Sequence, residues 1–298
     1  CIERKIRRHK DMSEPVGGIK KSTSTHARRV IAYIVLIILS ILCLFWFYIL
    51  LIYSTRSNGE IQKGITFIPS THFVENFKNL INSSQPVFQG LRNSLVIACS
   101  SALLSTYFST LTAYAIHVYD FKLKKFIFTF ILMIMMVPTQ VTVLGFIQLM
   151  TKMKLINNFI PLIVPSIAAP VTFYYLKQYM ESALPLALIE AARIDGSGEI
   201  RTFNTIALPL MKPAIAVQAI FTFVGSWNNY FIPTFILKKE KMKTIPIIIA
   251  QLRSSDYLKF DMGQVYMMIA LSIFPVIIVY LILSKNIVSG IAMGSVKG

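Results

Sequence analysis

From Val30 to Ile52 the chain runs without one charged residue. A helix rises 1.5 Å per residue, so this stretch is long enough to cross a hydrocarbon layer of about 30 Å. It is too long, and lacks the small-residue exit, for a cleaved leader. Five more apolar stretches follow, at residues 91–118, 126–150, 159–176, 213–237 and 263–284. A lipid interior offers no water to satisfy peptide groups, so each stretch must close its own backbone hydrogen bonds. The expected fold is all-α integral membrane, with six transmembrane helices. A hydrophobic content of 55% is more apolar surface than a soluble core of this length uses.

The formal net charge of +17 raises the question of nucleic acid. The basic residues lie mainly beside the apolar spans, however, as membrane orientation requires, and this argues against a nucleic-acid partner. Residues 1–29 form a basic arm with Pro15 and Gly17-Gly18 inside it, expected to stay in the cytoplasm and to be drawn to lipid. After the first helix at 30–52, residues 53–90 read as an extracytoplasmic loop of no legible fold, and 286–298 as a cytoplasmic tail. Both termini are expected in the cytoplasm. Lys238, Lys239, Lys241 and Lys243 weaken that bias, because they fall in an outer loop at 238–262 where only solvation accounts for them. The fourth span carries Pro161, Pro165 and Pro170, so its helix is expected to be kinked or broken.

Cys43 and Cys99 lie inside spans, so there is neither a disulfide framework nor a metal-ligand spacing. Cys1 stands where a lipidated cysteine could, but Arg4, Lys5, Arg7 and Arg8 belong on the cytoplasmic side, and an edited or incomplete start is the expectation. No span has Asp, Glu, Lys or Arg in its interior, where ion-coupled carriers bury such groups. There is also no GxxxxGK[ST] loop, HExxH pair or GxSxG elbow. The chain is therefore expected not to be an enzyme, and to bind no cofactor itself. Any energy must come from a partner.

One polar gap is built like a small folded object. Residues 186–194 read as a short helix with Pro185 at its first turn, and Ala191-Ala192 would let another surface approach closely. Gly196 suits a left-handed reversal, after which Glu199 to Ala207 can form a second helix that ends before Pro209. An amphipathic loop lying on the membrane would fit the same spacing.

Glu190-Ala191-Ala192, then Gly196, Ile206 and Leu208-Pro209, resemble the EAA loop of ABC importer membrane subunits. The resemblance implies that residues 181–210 form a coupling elbow inside a permease core at 91–285. Glu190, Ala191, Ala192, Arg193, Asp195, Gly196, Ile206, Leu208 and Pro209 would then meet a separate ATPase. Asn93-Ser94, Met136-Val137-Pro138 with Gln140, Gly225-Ser226-Trp227-Asn228 with Pro233, and the closing Gly-Ser-Val-Lys-Gly are similar to the MalG-like class of carbohydrate permeases. That class implies a bacterial plasma membrane and a homologous second permease as heterodimer partner. It also implies an ATP-binding cassette ATPase dimer holding ATP and Mg, and an extracytoplasmic sugar-binding protein. The tail residues Gly294, Lys297 and Gly298 would reach the ATPase. The sequence departs from the class at Leu184-Pro185-Leu186-Ala187-Leu188, where an acidic helix start is usual, and in the length of its basic arm.

A sugar, in particular an oligosaccharide, is the expected solute. The alternatives are another solute such as a glycerol-phosphate, or a membrane-embedded enzyme or sensor, for which only His117 comes close to a catalytic group. Counted from the inner ends of their spans at 1.5 Å per residue, Gln140 and Asn228 are both expected at about 21–22 Å depth. Two uncharged amides there suit a hydroxyl-rich solute, with Trp227 or Tyr230 as an apolar face for a ring. Asn229 is turned about 100° away from Asn228. The competing role for these amides is interhelical packing.

Overall fold

The computed structural model describes residues 23–254 and 261–294. Among these no strand occurs. The first helix, α1 (Thr23–Ser54), carries the uncharged stretch, and residues as far as Ile49 form a unit of their own. From Leu50 onward the chain forms a second unit. Among the described residues four helices are long and apolar enough to cross a membrane, or up to six if each of two sharply bent pairs counts as one span.

The loop at 53–90 is folded. Ser57 caps α2 (Asn58–Gln62) in a reciprocal capping box with Glu60, and α3 (Phe73–Ile81) follows. The Glu60 carboxyl is held below its usual range by the Ser57 backbone N–H and the Ser70 hydroxyl. Asn76, only 3% exposed, donates to the carbonyls of Ser54 and Arg56 at 2.9 and 2.8 Å. The loop thereby closes against the start of α15 (Met262–Gly294), where a Cβ on Gly263 would stand 2.6 Å from Asn76 Oδ1.

The central strut is α4 (Val87–Val118). Its buried face is built of small residues, among them Ser94, Ala98, Ser101, Ala102, Ser105, Ser109, Thr110 and Ala113, which let neighbouring backbones approach. Toward one end it packs with Phe223, Trp227, Ile245, Ile248 and Met268. Toward the other, Tyr114 packs with Phe173, Leu176, Met180, Ile189 and Phe203.

Three spans are broken, and two of them, the third and the fifth, were expected to be continuous. The third divides into α5 (Lys124–Met135) and α6 (Thr139–Lys152), which turn by 97°. Pro138 has no N–H to donate, and its ring disfavours helical backbone at Val137. The fourth, broken as its prolines require, comprises α7 (Ile160–Ile163), a 3-10 turn at Val164–Ile167 and α8 (Pro170–Ala183). After α9 (Leu186–Ile194), α10 (Glu199–Thr202), a π turn at Phe203–Ala207 and α11 (Leu208–Leu210), the fifth span begins as α12 (Lys212–Trp227). It stops at Trp227 and resumes only as α13 (Phe231–Ile236), because Pro233 has no N–H for the Asn229 carbonyl.

The loop at 238–262 contains a helix that its composition hid, α14 (Ile245–Arg253), preceded by a 3-10 turn at Glu240–Met242. Its lysines have structural work. Asn93 donates to the carbonyls of Lys241 and Lys243, both at 3.0 Å, and the Ser94 hydroxyl accepts from the Ile245 N–H at 2.9 Å. Asn157, at φ 59°, accepts from the N–H groups of Lys238 and Lys239. The last helix, α15, continues past Ser284 as far as Gly294, into the stretch expected as a tail.

Candidate functional site

The segment at 185–211 begins with Pro185 as the N-cap of α9, at φ −62° and ψ 134°, where the missing N–H costs nothing. The helix closes on Gly196 at φ 75°. Ser197 N donates to the Ala192 carbonyl at 2.9 Å and Gly196 N to the Arg193 carbonyl at 3.0 Å, a Schellman closure that satisfies the last carbonyls of the helix. No atom lies within 4 Å of a Cβ built on Gly196, so backbone conformation alone selects glycine there.

Beyond the turn the chain does not end at Ala207. It passes through Pro209 by widening into the π turn, in which Leu208 N donates to the Phe203 carbonyl. A regular helix would drive the Pro209 ring against the Thr205 carbonyl, and the extra residue removes that clash. The arm from Glu199 to Leu210 then meets α12 at a bend of 81°.

A polar cluster fastens this elbow to the end of α4. Arg193 Nε donates to Glu199 Oε1 at 2.8 Å, and the guanidinium lies 5.4 Å from the centre of the Tyr119 ring. The Tyr114 hydroxyl donates to Glu199 Oε2 at 3.4 Å. The Arg193 hydrogen bond, followed by one from Tyr119, holds the Glu199 carboxyl below its usual range. His117 Nε2 contacts the Leu184 carbonyl at 3.0 Å, which gives it a part in fixing the elbow's start.

With Arg193 committed to Glu199, Glu190 stands exposed and makes no hydrogen bond or ion pair among the described residues. Ala191 is exposed and Ala192 is buried. Asp195 is exposed at the C-cap, Ile206 and Leu208 are half-buried, and Pro209 is exposed. The tips of the elbow are apolar: Ile194 is 86% and Ile200 78% exposed. The sequence pattern contained both residues, but only the fold shows that both are left uncovered.

Of the proposed path residues, Trp227, Asn228 and Tyr230 line one cavity of about 470 Å³ with Arg253. The Trp227 indole is 3% exposed and stacked on Phe223 at 5.7 Å, so Tyr230 supplies the open aromatic face, not Trp227. Gln140 lines neither that cavity nor the one of about 280 Å³ that Thr139, Thr142, Ser226 and Asn229 share. Equal depth along unbroken helices fails as an argument, because both helices break next to these residues. Gly294 ends α15, and Lys297 and Gly298 lie outside the described residues.

Helices of membrane-crossing length, spans broken at prolines, and an exposed helix–turn–helix between two of them define a polytopic membrane protein of the transport-subunit class. Residues 105–292 match the family described as binding-protein-dependent transport system inner membrane component, and the chain belongs to that family. It is a non-catalytic, membrane-embedded component. It is 33% identical over 286 residues to the arabinooligosaccharides transport system permease protein AraQ of Bacillus subtilis (strain 168), covering 94% of this chain and 100% of that one. It is 30% identical to the sn-glycerol-3-phosphate transport system permease protein UgpE of Yersinia pestis, covering 88% of this chain and 95% of that one. A bacterial ABC transporter involved in the import of the acidic polysaccharide alginate shares the fold, with a TM-score of 0.74 at 20% identity, over 90% of this chain and 99% of that one.

Proposed function

We propose that the chain is one half of the translocation path of an ATP-driven importer for an oligosaccharide. Its six spans pair with those of a homologous second permease, both termini face the cytoplasm, and an extracytoplasmic binding protein delivers the solute. The 181–210 elbow docks on an ATPase dimer, which holds the ATP and Mg; this chain binds no cofactor. The observation that carries the reading is the Schellman-closed turn at Gly196, which presents Ile194 and Ile200 outward while Arg193 and Glu199 tie the same elbow to α4. A push on the elbow would thus reach a membrane-crossing helix directly.

The relation to arabinooligosaccharide permease supports a sugar, and the cavity with Tyr230 and Asn228 offers an aromatic face beside an amide, which suits a hydroxyl-rich ring. A second reading, an anionic solute such as a glycerol-phosphate, is favoured by Arg253 in the same cavity and by the glycerol-3-phosphate relative. Uptake by the reconstituted complex separates the two. Labelled oligosaccharide uptake that requires ATP and the binding protein is the expected result. Uptake of glycerol-phosphate alone would select the second reading, and no ATP-dependent uptake of either would remove both.

A further inference from the structure

A third cavity, of about 360 Å³, lies beside the root of the elbow and shares no lining residue with the other two. It is lined by His117 and Asp120 from the end of α4 and its link, Lys124 and Lys125 from the opening of α5, and Lys177 and Glu181 from α8. Lys177 is committed: its Nζ lies 2.5 Å from Glu181 Oε1 and 4.6 Å from the centre of the Phe128 ring. Lys124 and Lys125 form no ion pair among the described residues, and the first turn of α5 contains no carboxylate. Asp120 offsets one of these two charges and Glu181 is taken by Lys177, which leaves the lining with one cation in excess.

Directly below the lysines, α5 turns an apolar stripe outward. Phe126 is 63%, Phe130 49% and Met133 50% exposed, at helical spacing, and the two phenyl rings stack at 6.1 Å. A cationic pocket at the head of an exposed apolar stripe is complementary to one kind of molecule, an anion carrying long hydrocarbon tails. We infer that this cavity seats the phosphate of an anionic phospholipid of the inner leaflet, with its acyl chains along Phe126, Phe130 and Met133. The inference rests on the membrane reading of the chain and on its N-in orientation, not on which solute is carried. Because His117 also contacts the Leu184 carbonyl at the start of the elbow, a bound lipid would brace the root of that elbow.

The test uses the whole transporter complex in nanodiscs of phosphatidylcholine with phosphatidylglycerol, followed by delipidation and native mass spectrometry. The wild type is expected to retain one phosphatidylglycerol per copy of this chain and no phosphatidylcholine. Each lysine near an anionic surface is worth about fivefold in affinity, so Lys124→Gln with Lys125→Gln should weaken retention about thirtyfold. Lys124→Arg with Lys125→Arg should keep it. If the double glutamine variant does not assemble, each single variant reads the same loss at about fivefold. Equal retention in the glutamine variants would overturn the site, as would equal retention of phosphatidylcholine. Displacement of the lipid by inorganic phosphate would assign the pocket to free anions and overturn the lipid reading. Loss of solute uptake with lipid retention intact would count against the proposed function and leave this site standing.

Discussion

Replacing Gly196 by Asn, Ala and Val in turn isolates the backbone term in the elbow. The residue sits at φ 75°, and a Cβ added there meets nothing within 4 Å. Steric clash with neighbours is therefore absent, and the cost is that of holding an L-residue in the left-handed region, about 1–2 kcal/mol and more for a β-branched side chain. Asparagine tolerates that region and should cost least. At about 1.4 kcal/mol per tenfold, alanine should lower the closed-to-open ratio of the turn about 5- to 30-fold, and valine further. Two hydrogen bonds, Ser197 N to the Ala192 carbonyl and Gly196 N to the Arg193 carbonyl, open together when the turn does. Hydrogen exchange at those two amides should rise in the order Gly, Asn, Ala, Val, and solute-stimulated ATP hydrolysis by the complex should fall in that order while membrane insertion stays constant. Valine behaving like glycine in both assays would refute the reasoning.

Asn93→Leu removes a side chain 4% exposed and strands the carbonyls of Lys241 and Lys243. It should destabilise the complex by about 1–3 kcal/mol, read as a lower midpoint of thermal unfolding. Glu199 has its pKa lowered in the folded chain, first by the Arg193 hydrogen bond, so its contribution is complete above the ordinary carboxylate range and is lost as the pH falls through the folded value. Acidification should speed proteolysis of the wild-type elbow, and Glu199→Gln should abolish that pH dependence. Tyr230→Ala should reduce oligosaccharide uptake more than Gln140→Leu does, because only Tyr230 lines the cavity with Asn228. Deleting residues 293–298 should lower solute-stimulated ATP hydrolysis without reducing insertion, if the tail reaches the ATPase.

What could be read from the sequence was whatever a single residue dictates locally. The uncharged run at 30–52 names a span, Pro185 opens a helix, and Gly196 demands a left-handed turn, all from their own chemistry. The prolines of the fourth span announce its break for the same reason. Pro138 and Pro233 carried the same message, but they sit in apolar runs of the right length to cross a membrane, and length outweighed them. Pro209 reads as a terminator, whereas a π turn lets the helix pass it; whether a chain widens or stops depends on packing such as that of Phe203, which is 1% exposed. Roles that need distant partners left no local trace. Asn93 meets Lys241 and Lys243 across 148 and 150 residues, and Glu199 meets Tyr114 across 85. The lysines at 238–243 are unexplained by sequence because their backbone carbonyls and N–H groups meet the distant Asn93 and Asn157, while the Lys243 ammonium pairs with Glu240.

The claim that the 181–210 elbow hands the ATPase's work to the membrane helices is tested most directly at its tip. A photoreactive amino acid at position 194, which is 86% exposed, should crosslink to the ATPase subunit in the assembled importer, and the yield should change between nucleotide-free and ATP-bound complexes. Crosslinks to lipid alone, with none to the ATPase in either state, would contradict the account.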